Sequence, residues 1–503
     1  MKPTTTQIQS AKRKKNLFSS VYILNTLLFC LCLLFFATAS KGQWNQVGFD
    51  INGQEREEYS GSSVSMPNVN TVAIGAPSNN LGPSRPGLVR IYQRNGSQWV
   101  QKGNDIIGET NDDRSGATVS MPDANTVAIG APENDGNGNN SGHVRIYQWT
   151  GTTWVQKGND LDGESALDLS GWSVSMPDAN TVAIGAPDND GNGLNSGGHV
   201  RIYLWTGTTW VQKGSDIDAK TSQDNLGQSV SMPDANTVAI GAPSSGGNAR
   251  IYQWSGTTWI QKGSDIRSVL AFNFFGSSIS MPDANTVAVG APRHDNDKGT
   301  VRIYEWSGSE WQKRGNDIDG ENDGDLSSVS IDMPDANTIA IGSQRYRFDN
   351  IGHVRVFQWS GSEWNSKGSS IEGESQYDLS GIVSMPDPNT VAIGAPDNSG
   401  ISPFGIDVGH VRIFSYDAVS TGPELERATK RLKLYPNPAK NNFTVELNLN
   451  EINQPILFYD LQGKLIHEQS LLQKQEQIDT ENWKAGVYFV RYGEEIQKLV
   501  ILE

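Results

Sequence analysis

Apolar and polar positions follow one pattern that repeats along most of the chain. The third copy shows it. Residues 170–176, Ser-Gly-Trp-Ser-Val-Ser-Met, read as a first strand. Pro177-Asp178-Ala179-Asn180 reads as a turn, because Pro fixes φ at its first corner and Asn tolerates a left-handed conformation at its end. Residues 181–185, Thr-Val-Ala-Ile-Gly, form a second strand, and a polar, glycine-rich loop follows. His199-Val200-Arg201-Ile202-Tyr203-Leu204-Trp205 is a third strand. Thr206-Gly207 reads as a two-residue hairpin turn into a fourth strand, 208–213. The equivalent turn in the first copy is Asn95-Gly96, a strong hairpin signal. The pattern predicts four antiparallel strands per copy. Counting outward from Thr150-Gly151, Tyr147 and Trp154 are expected to face each other, a pairing worth about 0.2–1 kcal/mol.

Seven copies are present. Their marker, Ser-Met-Pro or a near relative, places methionine at Met66, Met121, Met176, Met232, Met281, Met333 and Met385, at intervals of 55, 55, 56, 49, 52 and 52. Units of this length suit propeller blades better than most solenoids. The seventh copy stops after its third strand, at Val411-Arg412-Ile413-Phe414. Residues 44–51, Trp-Asn-Gln-Val-Gly-Phe-Asp-Ile, match the fourth-strand segment 99–106, Trp-Val-Gln-Lys-Gly-Asn-Asp-Ile. The expected fold is therefore all-β, a seven-bladed β-propeller of four-stranded antiparallel blades over residues 43–417. Its N-terminal strand, 44–51, completes the last blade and removes an open sheet edge. An open solenoid is the alternative, and it would need no such complement.

The first 42 residues break the pattern. Lys2, Lys12, Arg13, Lys14 and Lys15 precede an apolar run from Leu17 to Ala39, and Ser40 and Gly42 follow. This is the layout of a secretory signal peptide, with cleavage after Gly42 leaving Gln43 first. Cleavage after Ala39 is the second choice, and a retained membrane anchor is the competing reading. Both cysteines, Cys30 and Cys32, lie in the apolar run, so the processed chain has neither disulfide nor thiol chemistry. Removal of residues 1–42 takes six positive charges from a formal net charge of −16 and leaves −22. Such a surface repels nucleic acid and anionic membranes and favours cations, although solubility alone accounts for it equally well. The 53 glycines and 14 tryptophans suit short strands and tight turns.

After a polar linker, 418–430, residues 431–503 change texture. Phe443–Leu447, Ile456–Tyr459, Val487–Val490 and Lys498–Leu502 read as strands of a small Ig-like β-sandwich. Three motifs stand in order: Tyr435-Pro436-Asn437-Pro438, then Tyr459-Asp460-Leu461-Gln462-Gly463-Lys464, then Ala485-Gly486-Val487-Tyr488. In order and spacing they resemble the type A sorting domain of type IX secretion in Bacteroidota. The resemblance covers the tail and makes Tyr435, Pro436, Asn437, Pro438, Asp460, Gly463, Gly486 and Tyr488 its sorting-motif residues. It implies passage through the periplasm and the outer membrane, the type IX secretion machinery as a partner, and a secreted or surface-attached product.

The repeats carry a second resemblance. Gly-Ala-Pro closes the second strand at 75–77, 130–132, 185–187, 241–243, 290–292 and 394–396, and Phe275-Gly276 precedes a first strand. This is similar to the FG-GAP repeat of the integrin α-subunit propeller and its bacterial relatives. That family often holds calcium in an Asp-rich loop between the first two strands. Here that turn is only Pro-Asp-Ala-Asn, so the family's metal site does not transfer. The sixth copy departs, with Gly342-Ser343-Gln344 and an inserted Asp332.

Candidate chemistry lies elsewhere. The third strand carries Arg90, Arg145, Arg201, Arg250, Arg302, Arg355 and Arg412. A sevenfold residue serves the blade, and pairing with Asp105, Asp160, Asp216, Asp265 and Asp317 is expected. His143, His199, His353 and His410 stand one per blade, too far apart to share a zinc ion, and read as surface or packing residues. Asp188-Asn189-Asp190-Gly191-Asn192-Gly193 opens like a calcium loop, making Asp188, Asp190 and Asn192 candidate ligands. Glu133, Asp135 and Asn137 are a weaker copy. Both lack the closing Glu, and a plain Asn/Asp/Gly turn looks the same. Calcium is the one cofactor suggested.

The sequence holds no nucleophile elbow, phosphate loop or zinc signature. The copies are uniform, whereas catalysis needs one asymmetric constellation. The leading expectation is a monomeric, non-enzymatic, exported propeller that binds a glycan or an extracellular protein through loops 133–142, 188–198, 293–299 and 397–409. A polysaccharide-active enzyme with its site over the channel is the runner-up, and a purely structural surface protein is the third reading.

Overall fold

The computed structural model describes residues 42–77, 86–244, 246–268, 273–345, 350–399, 408–417, 432–435, 439–440, 442–447, 455–460, 464–469, 475–480, 483–492 and 495–501. The signal segment up to residue 41 and the whole 418–430 linker lie outside these residues. The chain divides into two compact units, Met1–Val419 and Ser420–Glu503.

The first unit is seven antiparallel sheets, each built on four strands, in sequence order in six of them and closed by the N-terminal strand in the seventh. In the third blade these are Ser173–Asp178, Thr181–Ala186, His199–Trp205 and Trp210–Gln212. A two-residue piece, Ile217–Asp218, returns to the same third strand, with Val200 opposite Ile217. The outer edge of each blade is thus one strand broken by a bend. Gly214, at φ +82°, sits at the bend, and any side chain there would meet the Trp254 ring of the next blade.

Two local expectations fail. Pro177 lies inside the first strand, and the register shifts between Ser175 and Asp178. A bulge accommodates a residue that cannot donate to the ladder, so the turn shrinks to Ala179-Asn180. The outer hairpin is also longer than expected. Trp149 pairs with Trp154, and Tyr147 with Gln156, not with Trp154. The turn spans 150–153 because the Thr150 hydroxyl and amide both donate to the Thr153 carbonyl. In the first blade Asn95 pairs with Gln98, which moves that two-residue turn to Gly96-Ser97.

Every residue of the second strand is buried in all seven blades. Neighbouring blades cover both faces, so after an opening threonine the strand runs on in apolar and small residues instead of alternating. The second-strand glycine answers to the same packing. A Cβ at Gly185 would collide with the Gly227 carbonyl of the next blade. The Gly of the Gly-Ala-Pro signature is therefore a contact residue between blades.

Two rings of hydrogen bonds tie the blades together. In the inner ring, the amide of each marker methionine donates to the side chain before the methionine of the preceding blade. The acceptors are the Oγ atoms of Ser65, Ser120, Ser175, Ser231, Ser280 and Ser384 and, once, Oδ2 of Asp332. In the outer ring, each fourth-strand tryptophan donates its indole N–H to a main-chain carbonyl one blade back. Gln43–Gln46 pairs with His410–Asp417, placing Trp44 opposite Tyr416, and Ile51 pairs with Val411. Met66 of the first blade bonds Ser384 of the last.

The second unit has two sheets. One orders Leu432–Tyr435, Asn442–Leu447 and Gln475–Asp479, and the other orders Leu465–Gln469, Ile456–Tyr459, Gly486–Tyr492 and Glu495–Ile501. Phe443 and Val445 from the first meet Phe458, Val490 and Leu499 from the second in one buried core, with Trp483 packed against it.

Candidate functional site

Three places in the propeller unit bring chemistry together: the channel, the loops between second and third strands, and the joints between blades. The first strands surround a cavity of about 470 Å³. Serine and threonine hydroxyls line it beside Val and Met side chains. Asp332 is the single carboxylate on that wall among the described residues. It occupies the place that serine holds in the other six blades. It is half-buried between neighbouring first strands, and burial pushes its carboxyl up to about 6, against hydrogen bonds from the Met385 and Met333 amides and the Ser280 hydroxyl.

The loop candidates point to separate partners. Asp188 Oδ1 accepts from Asn225 at 2.8 Å, Asp190 Oδ1 from the Ser196 amide at 2.8 Å, and Asn192 donates to Asp218 at 2.6 Å. Glu133 pairs with Arg114 at 3.0 Å, Asp135 accepts from the Asn140 amide, and Asn137 donates to the Gly163 carbonyl. The buried loop anchors are Asn134 and Asn189, each closing a tight turn onto the amide two residues ahead.

The arginine row pairs largely as its spacing suggests. Arg90, Arg145, Arg250 and Arg302 reach Asp105, Asp160, Asp265 and Asp317 at 3.0–3.3 Å. Arg201 instead donates to the Asp162 carbonyl. Asp265 shows the electrostatics. Burial works to raise its carboxyl, but hydrogen bonds from Lys220 and Gln261 and the Arg250 charge win and hold it below the ordinary range.

The histidines open their third strands and are buried, not exposed. Each of three meets two carboxylates: Glu109 and Asp160 at His143, Glu164 and Asp216 at His199, and Glu374 and Asp50 at His410. Burial is the main force holding all three imidazoles below their ordinary range, His199 and His410 to about 4, so they are neutral at physiological pH. Sequence reasoning missed these groupings because the glutamate comes from the segment leaving the blade before. The available signal was Gly-Glu recurring at 108–109, 163–164 and 373–374.

In the second unit, Asp460 closes a hairpin, its Oδ1 accepting the Lys464 amide at 2.9 Å. The Tyr488 hydroxyl donates to the Lys484 carbonyl at 2.6 Å, and its ring packs on Trp483. Tyr435 ends one strand and Gly486 begins another. Pro436, Asn437, Pro438 and Gly463 lie outside the described residues. Residues 433–501 match the family model of the secretion system C-terminal sorting domain.

The C-terminal unit is a sorting domain of that family. Such a tail implies interaction with the type IX secretion machinery and export to the cell surface or extracellular space. No FG-GAP family model matches the repeats. Beta-agarase A of Zobellia galactanivorans is 31% identical over 68 residues, which is 14% of this chain. The chain thus spans 13% of that relative's length. Among solved structures, one described as a candidate 6-phosphogluconolactonase from Bacteroides uniformis ATCC 8492 is 8% identical, with TM-score 0.45, over 63% of this chain and 87% of that one. Saccharomyces cerevisiae Sqt1 is 13% identical, with TM-score 0.44, over 79% and 96%.

Proposed function

We propose that this is an exported, non-enzymatic propeller that binds an extracellular glycan or protein on the face carrying the loops between second and third strands. The observation behind this reading is where the blades differ. The turn between first and second strands is two residues long in every blade. The connection between second and third strands runs from 243–247 in the fourth blade to 396–409 in the seventh. Variation concentrated at one end of a repeated scaffold is how a ring presents one specific surface. The Gly-Ala-Pro signature supports kinship with FG-GAP propellers. Cleavage after Gly42 fits a processed chain whose first residue, Gln43, begins the closing strand.

The enzyme reading has one point in its favour, the raised carboxyl of Asp332 in the channel. Glycoside hydrolysis ordinarily uses two carboxyl groups about 5–10 Å apart, and the described channel wall offers one. Calcium at Asp188, Asp190 and Asn192 would have to draw Asn192 away from Asp218. The deciding experiment is a screen of the full-length protein on a glycan array and on immobilised collagen and fibronectin, with and without calcium. Saturable binding that is lost when loop 188–198 is shortened supports the proposal. Turnover of a polysaccharide without binding on either surface overturns it.

A further inference from the structure

One blade joint is arranged for a cation. His199 is 1% exposed, and neither ring nitrogen has a hydrogen-bond partner among the described residues. A buried polar group left this way destabilises the fold unless something else satisfies it. Its Nδ1 stands 3.8 Å from Glu164 Oε2 and 3.8 Å from Asp216 Oδ2, too far for a hydrogen bond to either. The three ligand atoms all lie within 4.8 Å of one another. In tetrahedral geometry, bonds of about 2.0–2.2 Å to one ion set two ligand atoms roughly 3.4 Å apart. The Glu164 side chain is 47% exposed and free to supply the remaining movement.

Charge points the same way. Glu164, Asp168, Asp216 and Asp218 crowd this joint, and Arg201 is the cation facing them. Arg201 neutralises the group only in part, as one cation against four carboxylates. Its Nη2 is committed to the Asp162 carbonyl, its Nη1 stands 3.7 Å from Glu164, and its Nε has no partner among the described residues. The joints at His143 and His353 are internal controls, whereas the His410 joint repeats the layout with Glu374 and Asp50 but leaves only Nε2 of its histidine without a partner among the described residues. At His143, Arg145 holds Asp160 through two hydrogen bonds and contacts Glu109, so both carboxylates are already matched. The sixth blade keeps His353 and Glu321 but has Ser370 where the third has Asp216.

We propose that His199 Nδ1, Glu164 and Asp216 bind one divalent transition-metal ion of the zinc class, stapling the third blade to the segment that leaves the second. A neutral imidazole with two carboxylates suits zinc, whereas calcium takes six to eight oxygens. The exposed side of Glu164 leaves a coordination position for water.

The test uses untagged full-length protein, stripped with EDTA and titrated with zinc chloride by calorimetry and thermal melting. One site tighter than any other and a rise in Tm are expected. Loss of a supporting residue around a metal typically costs about 10–100-fold in affinity, so Glu164→Gln, which removes a direct ligand, weakens that site at least about 10-fold. Glu109→Gln leaves it unchanged. His199→Gln abolishes it, and because that residue is buried, the half-exposed Glu164 variant keeps the test valid if folding suffers. Absence of zinc uptake by the unmodified protein overturns the proposal, as does equal affinity in Glu164→Gln and Asp216→Asn. Stabilisation by calcium chloride with no response to zinc overturns the choice of metal.

Discussion

The indole N–H of Trp44 donates to the main-chain carbonyl of Lys367 at 2.8 Å, across 323 positions of sequence. Six other tryptophans make the same bond one blade back, so Trp44 is the seventh member of a ring and not a stray terminal contact. The Trp99 indole, in turn, donates to the Val47 carbonyl. The N-terminal segment is therefore gripped from both sides.

Replacing Trp44 by alanine should thus cost what the same change costs mid-ring. Burial of this size predicts a loss of about 3–5 kcal/mol for Trp44→Ala and for Trp210→Ala alike. Urea unfolding of the two full-length variants checks this. A Trp44 variant that unfolds like the unmodified protein would show that closure contributes nothing.

Asp332 makes the channel pH-sensitive. Its carboxyl ionises near 6 in the folded protein and near 3.9 in an unfolded chain. Between these values the folded state binds more protons, so stability falls as pH rises through the window. Asp332→Ser restores the residue of the other six blades and keeps an acceptor for the Met385 amide. The variant should match the unmodified protein near pH 4 and exceed it at pH 7 by about 1–2 kcal/mol, a hydrated channel trimming the full shift. Denaturant midpoints at the two pH values decide the matter, and a constant gap would refute the assignment.

Arg250 sits between Asp224 at 2.8 Å and Asp265 at 3.3 Å, all three side chains at most 6% exposed. Arg250→Met strands two buried carboxylates and should cost about 3–5 kcal/mol at pH 7. Asp265 is held below its unfolded value, so its contribution is present at neutral pH and fades as acid protonates it. The deficit of the variant should accordingly shrink toward pH 3. Chemical denaturation across that range is the measurement, and a deficit that grew in acid would contradict it.

The sorting domain predicts a localisation phenotype. Deleting residues 433–501 leaves the propeller unit untouched but removes the export tag. The truncated protein should accumulate in the periplasm, while the intact protein reaches the surface or medium. Cell fractionation with an antibody to the propeller reads this directly. Unchanged surface display would separate export from the tail.

Much of the fold was legible because packing between blades leaves marks at fixed spacing. The marker methionine, the serine before it and the second-strand glycine each answer to a neighbouring blade, so each recurs. Registers were less legible. Pro177 reads as a turn corner because a bulge cannot be read from composition, and Tyr147 counts opposite Trp154 because a threonine hydroxyl closing a longer turn leaves no clear sign. The His199 group was hidden for another reason. Its members come from two blades, and a reading that treats copies one at a time sees a lone histidine in each.

The paired ends of the disc have a consequence for biogenesis. Synthesis yields residues 43–52 long before their partner, 410–417, because the residues of six intervening sheets lie between them. Until then the nascent disc carries two unpaired edges, each a template for joining a second chain. A message cut short would leave those edges exposed for good, handing quality-control proteases a simple criterion for telling finished molecules from fragments.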